Sequence, residues 1–531
     1  MRKGINIRFL FLGLCFPFIN AVFGSSIDTA KAKVLAEETC LLLKGPYLQA
    51  VTSNSIIIRW RTDIANKGIV KYGVEAGKLP AEVQESQSAT EHIVKLSGLK
   101  PATKYFYSIG TTSYVLQGNF DNFFKTLPVP GTPGIYRIAA FGDCGNNSVN
   151  QKNVRDQVAK HLGTNYMDSW LLLGDNAYEY GTDEEYQKNF FNVFKEDFLK
   201  KYPLFPAPGN HDYREKDSIT GLPKLTHDVA YYQNFSMPVN GEAGGFPSKN
   251  PSYYSFDIGN IHFLSLDSYG KEENGVRMFD TLSPQVQWVK TDLATNKNKG
   301  WIVAYWHHPP YTMGGHNSDK ENELIKIREN FIRILERSGV DLILTGHSHS
   351  YERSKLLNGH YGKESTFNAS EHNLSESSGL YNGSENSCPY IKDSINNRGI
   401  VYVVSGSSGK IDSRTQTSFP HDAMYYSNAN DGGAVFLEVE NNRLNLKWIC
   451  ADGVIRDDFT MMKNVNKKST IHLKKGKAAT LVASYSGEYN WNSSSGKSKS
   501  IRVSPGIGKT IYTVHDKFDC IKDVFEVIVS K

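Results

Sequence analysis

Between about residues 41 and 127 the chain alternates apolar and polar positions in short runs. Examples are Ser55-Ile56-Ile57-Ile58-Arg59-Trp60, Ile69-Val70-Lys71-Tyr72 and Lys104-Tyr105-Phe106-Tyr107-Ser108-Ile109. A period of two with turn residues between the runs predicts half-buried strands and a β-sandwich. Pro128, Pro130 and Pro133 mark a linker. From Ile135 the pattern changes. Strands are predicted at Tyr136–Phe141, Trp170–Leu173, Ile302–Trp306 and Leu342–Leu344, with helices at Val154–Leu162, Gln285–Leu293 and Glu321–Arg337. Strands alternating with amphipathic helices predict an α/β layered domain running to about Asp452. From about Asn464 the β pattern returns, at Thr470–Leu473, Ala479–Ala483, Ser500–Val503 and Thr510–Val514. Two stretches are predicted to be long surface loops: Tyr213–Ser252, rich in Gly, Pro, Asn and Lys, and Lys355–Asn397, rich in Ser, Asn, Glu and Gly.

A length of 531 residues calls for several domains. Hydrophobic content of 39% with 22% charged residues fits a globular chain and excludes disordered and membrane-embedded classes. The first 24 residues read as a secretory signal: Arg2, Lys3 and Arg8 precede the apolar run Phe9–Phe18, and small residues follow at Gly24, Ser25 and Ser26. Secretion or another extracytoplasmic location is therefore expected. Removing those three positive residues from the formal +5 leaves about +2, too little to argue for a nucleic-acid partner. Five cysteines remain (Cys40, Cys144, Cys388, Cys450 and Cys520). Export permits disulfides, the odd count leaves at least one thiol unpaired, and their scatter gives no pairing.

Candidate chemistry sits in five blocks, each ending an apolar run: Phe141–Gly145, Gly174–Tyr178, Gly209–Asp212, Val303–Pro309 and Gly346–His349. In open α/β sheets such strand ends are where ligands bind. Asp143 and Asp175 offer carboxylates, and a carboxylate can bridge two cations. Asn210 offers an amide oxygen, and His307, His347 and His349 offer imidazoles. His347 and His349 are two residues apart and lean to one side of an extended segment. Tyr178 lies three residues past Asp175. A phenolate needs a strongly charged metal to stay deprotonated near neutral pH, which points to Fe(III) rather than zinc there. Two cations about 3.5–4 Å apart can clamp a phosphate and activate water.

In order and composition the blocks resemble the metallophosphoesterase pattern, and specifically the purple acid phosphatase family. Asp143-Cys144-Gly145, Gly174–Tyr178, Gly209–Asp212, Val303–His307 (one residue longer than usual) and Gly346–His349 carry the resemblance. It extends to Pro46-Tyr47-Leu48-Gln49 and Ser350-Tyr351-Glu352-Arg353 and covers roughly residues 45–450. Leu99–Tyr107 is similar to the fibronectin type III corner, and Trp491 to an immunoglobulin core Trp. The resemblance implies a four-layer α/β/β/α catalytic sandwich over 135–452. It would be flanked by an N-terminal fibronectin type III-like domain (41–127) and a C-terminal immunoglobulin-like domain (464–531). It implies Fe(III) held by Asp143, Asp175, Tyr178 and His349, with Asp175 bridging to a divalent Zn, Mn or Fe on Asn210, His307 and His347. His307 is chosen over His308 because it leaves one residue before Pro309. His211 and His316 would handle the substrate and the leaving group. The implied reaction is attack of a metal-bound hydroxide on a small phosphate monoester. A phosphodiesterase or nucleotidase on the same site, or a non-catalytic surface-binding protein, are the rival readings. The C-terminal module has three open roles: binding a surface, stabilising the chain or spacing it.

Overall fold

The computed structural model of the chain describes residues 40–272, 275–392, 397–493 and 496–531. The signal-like segment 1–24 lies outside the described residues.

The expected strands form, and they gather into two large sheets. The first has ten strands. In spatial order they are Tyr390–Lys392, Ile455–Lys463, Arg443–Cys450, Gly433–Glu440, Ile135–Phe141, Ser169–Leu173, Leu204–Ala207, Leu42–Gln49, Ser55–Asn66 and Ala89–Ser97. The second has seven: Tyr254–Ile258, Ile261–Ser265, Trp301–Tyr305, Leu342–Thr345, Val401–Ser405, Tyr351–Ser354 and Met424–Asn428. The central strands of each are parallel, with Trp170 opposite both Ala139 and Leu204 in the first sheet and Val303 opposite Phe263 and Leu342 in the second. Ser169–Leu173 and Trp301–Tyr305 are buried along their whole length, as parallel strands covered on both faces must be.

The two faces of those strands explain the layers. Ile302, Ala304 and Trp306 share an apolar cluster with Val286, Val289 and Leu293 of the helix Pro284–Asn296 and with Ile327, Phe331 and Leu335. Their neighbours Val303 and Tyr305 belong to the other core, with Phe205, Phe256 and Phe263. Phe205 of the first sheet stacks on Phe256 of the second at 3.8 Å, and Tyr305 Oη donates to Phe205 O at 3.2 Å. Helix Val149–Leu162 lies on the outer side of the first sheet, against the strands Gly433–Glu440 and Arg443–Cys450. Period-two alternation inside continuous apolar runs thus separates the sheet–sheet interface from the helix-covered faces, giving the expected α/β/β/α order.

The N-terminal sandwich is less separate than its linker prolines suggest. Gln49 pairs in parallel with Leu204, so one sheet of the sandwich continues the catalytic sheet. The other sheet carries Ile69–Gly73 and Lys104–Gly110. Its corner is closed by Tyr105, whose hydroxyl accepts the Lys100 N–H at 2.9 Å beside buried Leu99. The C-terminal segment forms a small β-sandwich with its own core around Trp491, Leu481, Tyr485 and Val527. It includes a strand at Lys522–Ser530 that the apolar pattern did not single out. Cys388 of the predicted loop 355–397 is disulfide-bonded to Cys520 of this module, and Cys144 and Cys450 are buried free thiols.

A buried ion pair ties the two large sheets together. Arg353 donates to Asp457 through Nε at 2.6 Å and Nη2 at 2.8 Å, and Tyr351 Oη donates to Asp457 Oδ2 at 2.8 Å. All three side chains are buried. Removing one partner leaves an uncompensated buried charge. Asp457→Ala is therefore expected to cost about 3–5 kcal/mol, read as a lower midpoint in urea unfolding.

Candidate metal centre

All five blocks sit at the carboxyl ends of parallel strands, three from the first sheet and two from the second. The chain turns sharply there. Asp143, Asp175 and His347 have φ of 55°, 55° and 69°, a left-handed backbone that non-glycine residues adopt at a cost of order 1–3 kcal/mol. The turns are also close-packed. A Cβ on Gly145 would lie 2.0 Å from Asn176 O, and one on Gly209 would lie 2.3 Å from Asp175 N. The glycines flanking the aspartates thus let neighbouring blocks touch.

Each aspartate commits one oxygen to backbone and aims the other inward. Asp143 Oδ2 accepts from His347 N at 2.9 Å, and Asp175 Oδ1 accepts from His211 N at 2.8 Å. The remaining oxygens meet Tyr178, whose Oη lies 2.9 Å from Asp143 Oδ1, 3.0 Å from Asp175 Oδ2 and 3.3 Å from His349 Nε2. His349 Nε2 is 3.5 Å from Asp143 Oδ1. A second group adjoins this one. His307 Nε2, His347 Nδ1 and Asn210 Oδ1 lie 3.1–3.3 Å apart. Asp175 Oδ2 is 3.3 Å from His307 Nε2 and so belongs to both groups. All seven residues expected as ligands are brought together, in two sets that share Asp175.

The donor chemistry fits cations. His307 Nδ1 faces Leu173 O at 2.9 Å, and a carbonyl only accepts, so Nδ1 carries the proton and Nε2 presents a lone pair. That lone pair faces a carboxylate oxygen and an amide oxygen, three acceptors directed at one another. Ligand bonds of about 2.1 Å at tetrahedral to octahedral angles would place donor atoms roughly 3.0–3.4 Å apart, the spacing found here. The field is strongly negative. Burial opposes a charge on His307, but the Asp175 and Asp143 carboxylates raise its pKa to about 9, so without a cation Nε2 holds a proton in the place a metal ion would take. Burial, then the same two carboxylates, push the Tyr178 hydroxyl well above the ordinary phenol range. Ionising Tyr178 therefore needs a strongly charged partner.

His308 turns away from the donor set. Its Nδ1 is 2.8 Å from Ser268 Oγ, and its ring stacks on Tyr269. His211 Nδ1 donates to Glu179 O at 2.7 Å, its Nε2 is 3.8 Å from Asp175 Oδ2, and its ring lies 4.3 Å from that of Tyr178. Burial lowers its pKa against the upward pull of Asp175. His316 stacks on His347 with centroids 3.7 Å apart and is a third exposed, so it stands at the mouth of the site.

Three contributors escaped the sequence reading. Glu321 accepts from His316 Nδ1 at 2.9 Å and lies 3.4 Å from His347 Nε2. Burial alone would raise its pKa, but the bonds from His316 and His347 hold it well below the usual carboxylate range. It orients both rings, as carboxylates behind metal-facing imidazoles do. Its only sequence signal is its place at the start of a predicted helix. A sixth strand-end block, Gly406–Gly409, follows Val401–Ser405, and a Cβ on Gly406 would lie 2.1 Å from Ser348 O. Its Gly-Ser run after an apolar strand was the available signal. The third is Asp212, which lies inside the third block but was given no role there. It accepts from Gly209 N at 2.7 Å, Asn176 N and Asn176 Nδ2 at 3.0 Å, and Tyr186 Oη at 2.6 Å, clamping the second and third blocks. Burial, then the Asp175 charge, raise it to about 7. Asp212→Ala strands these donors in the interior, so a loss of about 2–3 kcal/mol is expected in chemical unfolding of the metal-free protein.

The chain is similar to known proteins in sequence and in fold. Residues 136–351 match the family model for calcineurin-like phosphoesterases, and residues 45–125 match that for the purple acid phosphatase N-terminal domain. Purple acid phosphatase 15 of Arabidopsis thaliana is 32% identical over 50% of the chain and 50% of that protein's length. The chain thus spans about half of that relative. Acid phosphatase type 7 of Homo sapiens is 26% identical over 67% of the chain and 75% of that protein. The structure of a purple acid phosphatase from yellow lupin seeds superposes with a TM-score of 0.59 at 18% identity, covering 79% of this chain and 74% of that one, which is a likeness of fold. Two family models in the right order, the curated relatives and the shared fold lead to one conclusion: the chain belongs to the purple acid phosphatase family of metallophosphoesterases.

Proposed function

We propose that the protein is a binuclear-metal acid phosphatase that hydrolyses small phosphate monoesters outside the cytoplasm. The observation that carries this reading is the pair of donor sets meeting at Asp175 Oδ2. Asp143, Tyr178, His349 and Asp175 would hold Fe(III). Asn210, His307, His347 and Asp175 would hold a divalent Zn, Mn or Fe. When bound, two such cations polarise a phosphate ester, lower the pKa of water and offset charge on the leaving oxygen.

The chain's own residues do the rest. Glu321 keeps His347 turned so that Nδ1 faces inward, and Leu173 O does the same for His307 Nε2. Glu179 O fixes the His211 ring with Nε2 towards Asp175. A proton on that Nε2 would be donated to a phosphate oxygen or to the departing alcohol, and a lowered pKa makes the protonated ring a stronger acid. His316, held by Glu321 on the opposite side, would take a second phosphate oxygen. The signal-like segment 1–24 and the Cys388–Cys520 disulfide support an oxidising compartment. Among the described residues no helix is long and apolar enough to cross a membrane.

The test is metal content and the visible spectrum of the purified protein, with activity on a monoester and a diester. About one iron and about one divalent ion per chain are expected, with a broad visible band that Tyr178→Phe abolishes. His307→Ala should lose the divalent ion and more than about 100-fold of the activity, beyond the usual effect of an outer-shell change. His308→Ala should retain both ions. Protein that takes up no metal on reconstitution would overturn the reading, and preferential diester hydrolysis would overturn the monoester assignment.

A further inference from the structure

The mouth of the site carries charge that the reaction described above does not use. Glu179, the residue after Tyr178, projects its carboxylate between two cations. Lys410 Nζ is 3.6 Å from Glu179 Oε1, and Arg214 Nη1 is 3.6 Å from Glu179 Oε2. Those distances are too long for hydrogen bonds, and the Lys410 and Arg214 side chains are 40% and 41% exposed. Lys410 and the Glu179 carboxylate both stay near the reacting centre. Lys410 Nζ lies 4.8 Å from the centroid of the Tyr178 ring, and Glu179 Oε2 lies 3.6 Å from His211 Nδ1. The nearby acid Asp412 is occupied by Arg414 at 2.9 Å. Lys410, Arg214 and Glu179 therefore sum to one positive charge beside the donor sets.

Lys410 does not hang from a mobile loop end. It follows the Gly406–Gly409 turn, and the Gly409 carbonyl accepts from Ser148 Oγ at 2.8 Å and Asn150 Nδ2 at 3.2 Å. A Cβ on Gly409 would lie 2.6 Å from Asp143 O, so the turn is seated on the first block. Arg214 is held one turn beyond His211, its N–H donating to His211 O at 3.2 Å. Two cations on rigid supports, bridged loosely by one exposed carboxylate, are poised to exchange that carboxylate for an incoming anion, because charge-assisted contacts at hydrogen-bond distance outweigh loose ones.

Building on the phosphatase reading, we infer that Lys410 and Arg214 form a second anion subsite. The preferred substrates are then phosphate monoesters whose leaving alcohol carries a further carboxylate or phosphate. The phosphate under attack sits over the two donor sets, the second anion displaces Glu179 from Lys410 and Arg214, and the subsite selects the leaving group.

A matched pair of substrates tests this. Glycerol 3-phosphate and 3-phosphoglycerate differ by a hydroxymethyl group in place of a carboxylate. With the metal-loaded full-length protein, kcat/KM should favour 3-phosphoglycerate. That preference should fall about tenfold in Lys410→Met and in Arg214→Met, with the change carried by KM, and should weaken as salt rises. Because the readout is a ratio within one preparation, a partly folded or partly loaded variant does not distort it. A ratio that moves less than twofold in both variants, while the wild-type protein hydrolyses both compounds, would overturn the subsite and leave the phosphatase reading intact. Hydrolysis of neither compound by metal-loaded wild-type protein would overturn both.

Discussion

Much of this structure is arranged around one carboxylate. Asp175 spends Oδ1 on the His211 N–H and turns Oδ2 towards both Tyr178 and His307. Burial alone would keep it neutral, yet His307 and His211 hold it well below the ordinary carboxylate range. A buried anion of this kind is costly unless it is neutralised. The cost is met by packing two sheets face to face with their strand ends side by side, so that a tyrosine from the Asp175 loop and a histidine from the opposite sheet converge on one oxygen. The left-handed turns at Asp143, Asp175 and His347 are the local price of that convergence.

The surrounding layers keep these turns in place. The face-to-face packing of Phe205 on Phe256 and the buried Arg353–Asp457 pair lock the sheets to each other. Asp212 then joins neighbouring loops within the first sheet. Precision at the centre comes from this support: donor atoms about 3 Å apart tolerate little displacement, and loops alone do not hold such tolerances. The N-terminal sandwich adds to the same frame by extending the catalytic sheet through Gln49 and Leu204. The C-terminal sandwich is fastened to the 355–397 segment by the disulfide and by the Tyr381 hydroxyl donating to Asp516.

Outside this frame the polar residues are organised by distance from the two donor sets. Glu321 and the Leu173 carbonyl orient the imidazole rings, and His211 lies beside Tyr178 while His316 lies beside His347. Lys410, Arg214 and Glu179 lie at the rim, where solvent screens them and where substrates can differ most. None of these three rim residues belongs to either donor set.

By itself the sequence determined the kinds of donor atom, their order and their position at strand ends. Short apolar runs stop at Gly-Asp, Gly-Asn-His or Gly-His, and that pattern is local. The periods of two and 3.6 likewise marked most strands and helices, since backbone geometry dictates them. The choice of His307 over His308 came from the resemblance, through its His-x-Pro spacing, and in the structure His307 faces Asp175 and Asn210 while His308 faces Ser268. Only the tertiary structure decided which donors meet. His347 N reaches Asp143 across 204 residues of chain, and Cys388 finds Cys520 across 132. It alone decided which carboxylate oxygen faces inward, that Glu321 serves two histidines, that the N-terminal sheet joins the catalytic one, and that Lys410 lies over Tyr178. These are long-range contacts set by sheet order and layer packing, and no local pattern of hydrophobic and polar residues encodes them.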